Sequence, residues 1–220
     1  MSKPNDIQLV VVEDLPVIRE GLVRWLDAQE GMRVIGLAAD HQETRNILAS
    51  GLPNVLILDL MMAGGGDGTL FVEELKNRYP SLRILVFSIQ DEMIYAERVI
   101  RAGANGYVMK REAGDELLQA IRTVAEGDLY VSRKLSAIMV RRLMQPSSRM
   151  NDIVSSLTDR ELHVFQLIGS GMNPRKIAEQ LSLSVKTIEA HRENIKNKLN
   201  LHTAAQVIQR ATIWFNEQAN

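Results

Sequence analysis

The chain has 220 residues, enough for two small domains, and its 45% hydrophobic and 24% charged residues are typical of globular proteins rather than disordered chains, collagen-like repeats or coiled-coil rods. The absence of cysteine excludes disulfides, thiolate metal sites and cysteine nucleophiles. The net charge of −1 divides into −7 for residues 1–130 (13 basic, 20 acidic) and +6 for residues 131–220 (13 basic, 7 acidic), which suggests a metal or phosphate module followed by a nucleic-acid module.

Five short apolar runs in the first half have the β-branched composition of strands that are buried on both faces. They alternate with helix-length segments of 3.6-residue periodicity. The predicted strands are Ile7–Val12, Met32–Ala38, Val55–Asp59, Arg83–Ser88 and Gly106–Met109, and the predicted helices are Pro16–Gln29, His41–Ala49, Thr69–Arg78, Glu92–Ala102 and Gly114–Glu126. This alternation predicts an α/β fold, a doubly wound (βα)5 parallel sheet whose ligands bind beyond the carboxyl ends of the strands.

Chemically active side chains lie at four of these strand ends. Glu13 and Asp14 follow the first strand, and Asp59 closes the third. Ser88 closes the fourth strand and Lys110 follows the fifth. Three carboxylates at one edge repel each other unless a cation lies among them, and Mg²⁺ suits such an oxygen cage. The set describes a phosphoryl-transfer site in which Asp59 attacks phosphorus while Mg²⁺, Lys110 and Ser88 bind the phosphoryl oxygens. Taken singly, each acidic residue is also a common turn former or helix N-cap.

Four motifs occur in residues 6–127 in a fixed order. They are Val-Val-Glu-Asp (11–14), Leu-Ile-Leu-Asp-Leu-Met-Met (56–62), Val-Phe-Ser (86–88) and Ala-Gly-Ala-Asn-Gly-Tyr-Val-Met-Lys (102–110). In this order they resemble the receiver domain of bacterial response regulators.

The resemblance implies that Asp59 accepts phosphate from a sensor histidine kinase. It also implies that Ser88 and Tyr107 rearrange together on phosphorylation, and that Met61 and Gln90 tune hydrolysis of the phosphoryl group. The ligands that it implies for Mg²⁺ are Glu13, Asp14, Asp59 and the backbone carbonyl of Met61.

The loop after Asp59 departs from the family pattern. The family usually has a proline four residues on, where this chain has Ala63, and the run Gly64-Gly65-Gly66-Asp67-Gly68 makes the loop one residue longer. Because glycine raises backbone entropy, we expect a more mobile loop that holds the Met61 carbonyl less firmly. The lysine and Ser/Thr of a phosphate-cradling glycine loop do not follow.

A change of composition follows the predicted sheet. Ser132–Met144 has the pattern of a basic amphipathic helix, and residues 145–152 have linker composition. We interpret the helix as a solvated one attached to the receiver, rather than as a membrane-binding or nucleic-acid-binding one. The predicted domains are a receiver at 1–128, a linker helix and flexible linker at 129–152, and a DNA-binding domain at 153–220.

The last third of the chain contains four predicted helices joined by short turns. Thr158-Asp-Arg-Glu161 is a capping box, Pro174 takes the tolerated first position of a helix, and Ser184 can cap the third. The helices are predicted to end near Ile168, Gln180, Leu199 and Glu217. Helix, short turn, helix with net positive charge is the helix-turn-helix pattern.

At about 100° per residue the third helix separates into faces. The inward stripe is predicted to be Val185, Ile188, Ile195 and Leu199. The stripe predicted to face a major groove is Lys186, Ala190, Glu193 and Asn197, with Glu189 beside it. The flanking residues that could reach phosphates are Thr187, His191, Arg192, Lys196 and Lys198. The two glutamates could accept a hydrogen bond from the amino group of a cytosine. Asn197 could pair with adenine, and Lys186 could contact guanine. For each charge, the alternative is a solvated helix face.

Four further motifs fall in residues 157–216. They are Leu-Thr-Asp-Arg-Glu-Leu (157–162), Lys-Ile-Ala-Glu-Gln-Leu (176–181), Lys-Thr-Ile-Glu-Ala-His-Arg-Glu-Asn-Ile (186–195) and Lys-Leu-Asn-Leu (198–201). They resemble the LuxR-type helix-turn-helix domain. With the receiver, they make the whole chain similar to NarL/FixJ-family response regulators, which are transcription factors. Because some members carry basic residues where Glu189 and Glu193 stand here, their base contacts are not carried over.

The fourth helix has a stripe of small and apolar residues. Its members are Ala204, Val207, Ile208, Ala211 and Phe215. The resemblance implies that this helix pairs two DNA-binding domains on a two-fold operator, as a homodimer formed on phosphorylation. The alternative is that it only packs on the first helix of its own domain.

These patterns predict a two-component response regulator that controls transcription, and no enzyme beyond self-phosphorylation and slow autodephosphorylation of Asp59. One alternative is an Mg²⁺-dependent phosphatase, which would want a second aspartate where Met61 stands. Another is a phosphorylation-independent DNA-binding regulator that uses the receiver as a dimerisation module. Because no signal peptide and no run of about 18 apolar residues is found, we expect a soluble, cytoplasmic protein without membrane contact.

Overall fold

The computed structural model describes residues 6–62, 66–144 and 154–218, and for residues 141–144 the backbone only. The chain divides into two compact units, Met1–Met144 and Gln145–Asn220. The predicted flexible linker at 145–152 lies outside the described residues, as do Ala63, Gly64 and Gly65 at the start of the predicted glycine loop.

The first unit is a five-stranded, all-parallel sheet with helices between the strands. The strands are β1 (Ile7–Val12), β2 (Met32–Ala38), β3 (Val55–Leu58), β4 (Ile84–Ser88) and β5 (Gly106–Met109), in the order β2-β1-β3-β4-β5. The helices are α1 (Pro16–Asp27), α2 (His41–Ser50), α3 (Gly68–Arg78), α4 (Glu92–Arg101), α5 (Asp115–Glu126) and α6 (Arg133–Met144), with a 3-10 turn at Lys110–Glu112. The predicted α/β fold is confirmed, with element ends that move by one or two residues.

The packing of this unit follows from its apolar pattern. The strands β3, β4 and β5 are buried along their whole length, whereas the edge strand β2 alternates between exposed residues and residues that are buried or half-buried. Helix α5 packs Leu117, Ile121 and Val124 into the core beneath the sheet. The strand order reverses between β1 and β3, which places a crevice beyond their carboxyl ends.

The second unit is helical. Its described helices are α7 (Asp159–Gly169), α8 (Pro174–Gln180), α9 (Val185–Lys198) and α10 (Ala204–Gln218). Both hydrogen bonds of the predicted capping box at Thr158 are present, and Asn173 and Ser184 cap the next two helices. The buried centre is apolar, and there the Phe165 and Trp214 rings lie 5.7 Å apart between centroids. Over the described ranges, none of the helices is both long and apolar enough to cross a bilayer.

Candidate functional site

Three carboxylates meet where β1 and β3 end. Val12 pairs with Leu58 across the two strands, and the Asp59 N–H donates to the Val12 carbonyl at 2.9 Å. Glu13 and Asp14 therefore start their loop next to Asp59, which lies one residue beyond β3 rather than within it. One carboxylate oxygen from each of the three lies within 4.8 Å of the others. The structure thus brings together the acidic residues that the sequence placed at separate strand ends.

Lys110 reaches into this cluster from the end of β5. Its Nζ lies 2.5 Å from Glu13 Oε2 and 2.8 Å from Asp59 Oδ2. Burial opposes the charge of this lysine, yet the carboxylates of Asp59 and Glu13 outweigh it and raise the pKa of Lys110. Burial, together with the charge of Asp59, raises the pKa of Glu13 against the opposing hydrogen bond from Lys110. One ammonium group is shared by two buried carboxylates.

The donor set fits a divalent cation. Three carboxylates and one ammonium group leave an excess of negative charge, and hard oxygen donors are what Mg²⁺ prefers. Asp14 is only half-buried, so water can reach the cluster and complete a coordination shell. The Met61 N–H donates to Asp59 Oδ1 at 3.3 Å. The role of the Met61 carbonyl as a ligand stays a prediction.

Ser88 and Tyr107 meet at the backbone of Gln90. Ser88 ends β4 and is fully buried, and its Oγ accepts from the Gln90 N–H at 3.4 Å. Tyr107, on β5, is also buried, and its hydroxyl donates to the Gln90 carbonyl at 2.9 Å. The peptide groups of one residue therefore join the two residues that are predicted to rearrange together, a link that side-chain patterns could not reveal.

Two further contacts of the first unit were not predicted from the sequence and bear on the site and on α6. Arg19 Nη1 donates to the Glu13 carbonyl at 2.6 Å, and Ser132 Oγ donates to Glu92 Oε1 at 2.6 Å. A basic residue one turn into a helix, where basic residues are disfavoured, was the available signal for Arg19. For the buried carboxylate of Glu92, no signal pointed to a partner 40 residues away.

The exposed face of α9 carries the residues predicted to face a major groove. Lys186, Glu189, Ala190, Glu193 and Asn197 are exposed, and Thr187, His191, Arg192 and Lys196 are half-buried at the flanks. Their contacts with DNA stay predictions.

The prediction for the inward stripe of α9 needs one correction. Ile188 and Ile195 are fully buried, but Val185 is 43% exposed and Leu199 is half-buried. Val185 is the first residue of α9 and Leu199 follows its last, and fewer neighbours surround a side chain there than at the middle of the helix.

The two groove-face glutamates form ion pairs within α9. Arg192 Nη1 lies 2.8 Å from Glu189 Oε1, and Lys196 Nζ lies 2.7 Å from Glu193 Oε2. Ion pairs between residues one turn apart on a helix contribute little to stability, typically about 0.2–0.5 kcal/mol. The two pairs therefore add little to the stability of α9.

The predicted dimerisation stripe on α10 is not one free surface. Val207 and Ala211 are buried within their own domain, whereas Ala204 is exposed and Ile208 is 47% exposed. A period of 3.6 residues marks the face that packs inward, and α10 uses that face against α7. Phe215, the last member of the stripe, is half-buried, so only Ala204 and Ile208 of the five remain exposed to a second copy.

The buried carboxylate of Glu161 makes the stability of the second unit sensitive to acid. It accepts from the Thr158 N–H at 2.9 Å and from Lys198 Nζ at 2.7 Å. Burial acts to raise the pKa of Glu161, but the bonds from Lys198 and Thr158 hold it below its ordinary value of 4.5. The resulting stabilisation is fully present above the unfolded-state pKa and is lost as the pH falls through the lower pKa of the folded state.

We therefore expect Glu161→Gln to lower the free energy of unfolding of this unit by about 1 kcal/mol at neutral pH. We also expect this free energy to fall less than that of the parent as the pH drops below 4.5, because the variant has no carboxylate to protonate at this position. Glutamine keeps an oxygen for the Thr158 N–H but loses the charge that faces Lys198. The measurement is urea unfolding followed by Trp214 fluorescence in a Trp25→Phe background, with Glu217→Gln as the exposed control. Equal pH profiles for Glu161→Gln and the parent would contradict the assignment.

Two family models match the chain. The response regulator receiver domain matches residues 9–122, and the bacterial regulatory proteins of the luxR family match residues 155–211. Oxygen regulatory protein NreC of Staphylococcus epidermidis is 35% identical over 210 residues, which cover 93% of this chain and 96% of that protein. NreC of Staphylococcus carnosus is 34% identical over 209 residues with the same coverage.

Solved structures show the same architecture. A LuxR-family two-component response regulator from Aurantimonas sp. has a TM-score of 0.58 and 27% identity, over 64% of this chain and 99% of that one. The response regulator RcsB, in a complex with DNA, has a TM-score of 0.57 and 24% identity, over 94% of this chain and 98% of that one, a likeness of fold alone. The chain belongs to the NarL/FixJ family of two-component response regulators, in which a receiver domain is joined to a LuxR-type DNA-binding domain.

Proposed function

We propose that phosphorylation of Asp59 by a sensor histidine kinase, with Mg²⁺ bound beside it, controls dimerisation of this regulator and its binding to a double-stranded DNA operator. The observation that carries this proposal is the position of Asp59. Its carboxylate lies within 4.8 Å of two further carboxylates and 2.8 Å from the ammonium group of Lys110. Such a cluster can hold a phosphoryl group with its cation and its counter-charge.

The chemistry proposed for Asp59 is a single transfer. A carboxylate oxygen of Asp59 attacks the phosphorus, the bond to the phosphodonor's leaving group breaks, and the product is an acyl phosphate on Asp59. Lys110 and Ser88 would bind phosphoryl oxygens. Glu13, Asp14, Asp59 and the Met61 carbonyl would hold Mg²⁺, which when bound would supply positive charge to stabilise the transferred group.

The protein is proposed to be no enzyme beyond self-phosphorylation and slow autodephosphorylation. A phosphatase on a similar sheet would want an acid/base aspartate two residues after the nucleophile, where this chain has Met61. Without that group, the acyl phosphate is expected to persist as a signal.

The test is to incubate the full chain with Mg²⁺ and acetyl phosphate, and to measure intact mass, oligomeric state and binding to promoter fragments. The proposal expects a mass gain of one phosphoryl group that EDTA prevents, with a shift toward dimer and tighter DNA binding. An unchanged mass would overturn it, and would favour a phosphorylation-independent regulator whose receiver is a dimerisation module.

A buried hydrogen bond offers a route from this site to α6. Gln90, which joins Ser88 and Tyr107, lies two residues before Glu92, and Glu92 is only 6% exposed. Glu92 Oε1 accepts from Ser132 Oγ at 2.6 Å, and the same Oγ accepts from the Leu135 N–H at 3.1 Å in the first turn of α6. Movement between β4 and α4 would therefore reach the start of the helix that precedes the DNA-binding domain in the chain.

We expect Ser132→Ala to loosen α6 without changing phosphorylation. The variant removes the donor to the buried Glu92 and the acceptor at the start of α6, a loss of about 1 kcal/mol or roughly fivefold in local opening. Hydrogen exchange of residues 133–140 measures this, with Ser136→Ala on the same helix as the control. Equal exchange in the two variants would show that α6 is held by its apolar contacts alone.

A further inference from the structure

We propose that Arg19 is a positioning residue for the divalent-cation site, because it fixes the backbone that carries the Glu13 and Asp14 carboxylates. The inference rests on the proposed function, since it concerns the cation that phosphorylation of Asp59 would use. Arg19 itself would touch neither the cation nor the phosphoryl group.

The contacts of Arg19 go to the two residues that supply carboxylates. Its Nη1 donates to the Glu13 carbonyl at 2.6 Å and lies 3.4 Å from the Asp14 carbonyl. One guanidinium nitrogen therefore spans two successive peptide groups. Because each ligand side chain starts from the backbone next to these carbonyls, a peptide group that turns would move a carboxylate away from the cluster.

The same loop is tied to α1 by further hydrogen bonds. The Arg19 N–H donates to the Leu15 carbonyl at 2.9 Å, and the Leu15 N–H donates to Glu13 Oε1 at 3.3 Å. The side chain of Arg19 thus closes a ring of contacts around the residues that follow β1. Residues that hydrogen-bond to metal ligands, without touching the metal, typically raise metal affinity by about 10–100-fold.

The position of Arg19 in α1 indicates that its side chain serves the loop before the helix rather than the helix itself. Basic residues near a helix N-terminus are disfavoured by the helix dipole, yet Arg19 lies one turn from the start of α1 at Pro16. The first turn of α1 contains no acidic residue, and its N-cap residue Leu15 offers no side-chain cap. The Arg19 guanidinium instead donates to the two loop carbonyls of Glu13 and Asp14.

Two effects of Arg19 on Mg²⁺ have opposite signs, so the direction of change identifies the role. As a positive charge near the carboxylates, Arg19 opposes a cation, and its removal by that effect alone would tighten Mg²⁺ binding. As a positioning residue, it aligns the carboxylates, and its removal weakens Mg²⁺ binding. We expect the positioning effect to be the larger, so that loss of Arg19 lowers the affinity for Mg²⁺ by about tenfold. This is the lower end of the range for residues that contact metal ligands, because Arg19 contacts the backbone rather than the carboxylates.

The test is a titration of the ¹⁵N-labelled full chain with MgCl₂, followed by the amide signals of the loop after β1. Arg19→Met keeps the aliphatic stem and removes every hydrogen-bond donor of the side chain. We expect the dissociation constant of this variant for Mg²⁺ to rise about tenfold. Arg19→Lys keeps the charge and one flexible donor, and should fall between Arg19→Met and the parent. Arg24→Met, exposed on the same helix, removes the same charge and should leave the constant within about twofold.

Unfolding of each variant in EDTA separates positioning from folding. A parent-like unfolding midpoint with weakened Mg²⁺ binding supports the proposal, and if Arg19→Met does not fold, the constant measured for Arg19→Lys decides. Unchanged or tighter binding in the folded variants would overturn the positioning role while leaving the proposed function intact. A parent chain that binds no Mg²⁺ would overturn both.

Discussion

Asp59→Asn is expected to abolish phosphoryl incorporation completely. The substitution keeps the shape of the side chain but removes the anionic oxygen that would attack phosphorus, and a neutral amide is a far weaker nucleophile. It also removes one of the three carboxylates that lie within 4.8 Å of one another, so Mg²⁺ should bind more weakly. The fold is expected to remain, because Lys110 keeps Glu13 at 2.5 Å as its anionic partner.

The measurement is the intact mass of the full chain after treatment with Mg²⁺ and acetyl phosphate. The matched control is Asp91→Asn, since Asp91 is an exposed aspartate that caps α4 and asparagine caps a helix equally well. The control should gain one phosphoryl group like the parent. A phosphoryl group found on Asp59→Asn would place the acceptor elsewhere in the chain.

Gly169→Ala is expected to destabilise the DNA-binding domain by about 1–3 kcal/mol or more, although alanine is the better helix former. Gly169 is the last residue of α7, where the helix meets α10. A Cβ atom at this position would lie 2.5 Å from the Ala211 carbonyl oxygen and 2.8 Å from Phe215 Cβ. Backbone atoms cannot move aside alone, so α7 and α10 would have to separate and give up part of their apolar contact.

Urea unfolding of the Trp25→Phe protein, followed by Trp214 fluorescence, measures this loss. Gly21→Ala is the matched substitution in the first unit, because Gly21 lies within α1 and nothing lies within 4 Å of an added Cβ. There we expect a gain of about 1 kcal/mol from helix propensity alone, measured in a Trp214→Phe protein in which Trp25 is kept as the reporter. A stabilised Gly169→Ala variant would show that the two helices can part without cost.

The sequence alone was enough to predict the sheet and the charged side chains that meet at its edge. Buried parallel strands are short apolar runs, and their carboxyl ends must meet at one edge whatever the details of packing. For this reason Glu13, Asp14, Asp59 and Lys110, which are distant in the chain, could be placed together. Helix caps were predictable for a different reason, since the capping box at Thr158 involves only residues within one turn.

The sequence did not show which helix faces are buried against a neighbouring helix and which remain exposed. The stripe on α10 was visible as a pattern, but only packing against α7 shows that Val207 and Ala211 belong to the core and that Ile208 does not. Val185 was misplaced for a related reason, because periodicity assigns a residue to a face without showing where the neighbouring helices end.

Contacts between distant polar groups were likewise decided only by tertiary structure. The bond between Ser132 and Glu92 joins residues 40 apart, and the ion pair between Lys198 and Glu161 joins residues 37 apart. Glu161 was predictable as a capping-box residue, but its ion pair with Lys198 and the bond between Ser132 and Glu92 have no signal in the local sequence. Local sequence therefore determined the helices, strands and chemical groups of this protein. The partners of its buried polar groups depend on how those elements pack, because a hydrogen bond forms only where packing brings the donor and acceptor atoms to about 3 Å from each other.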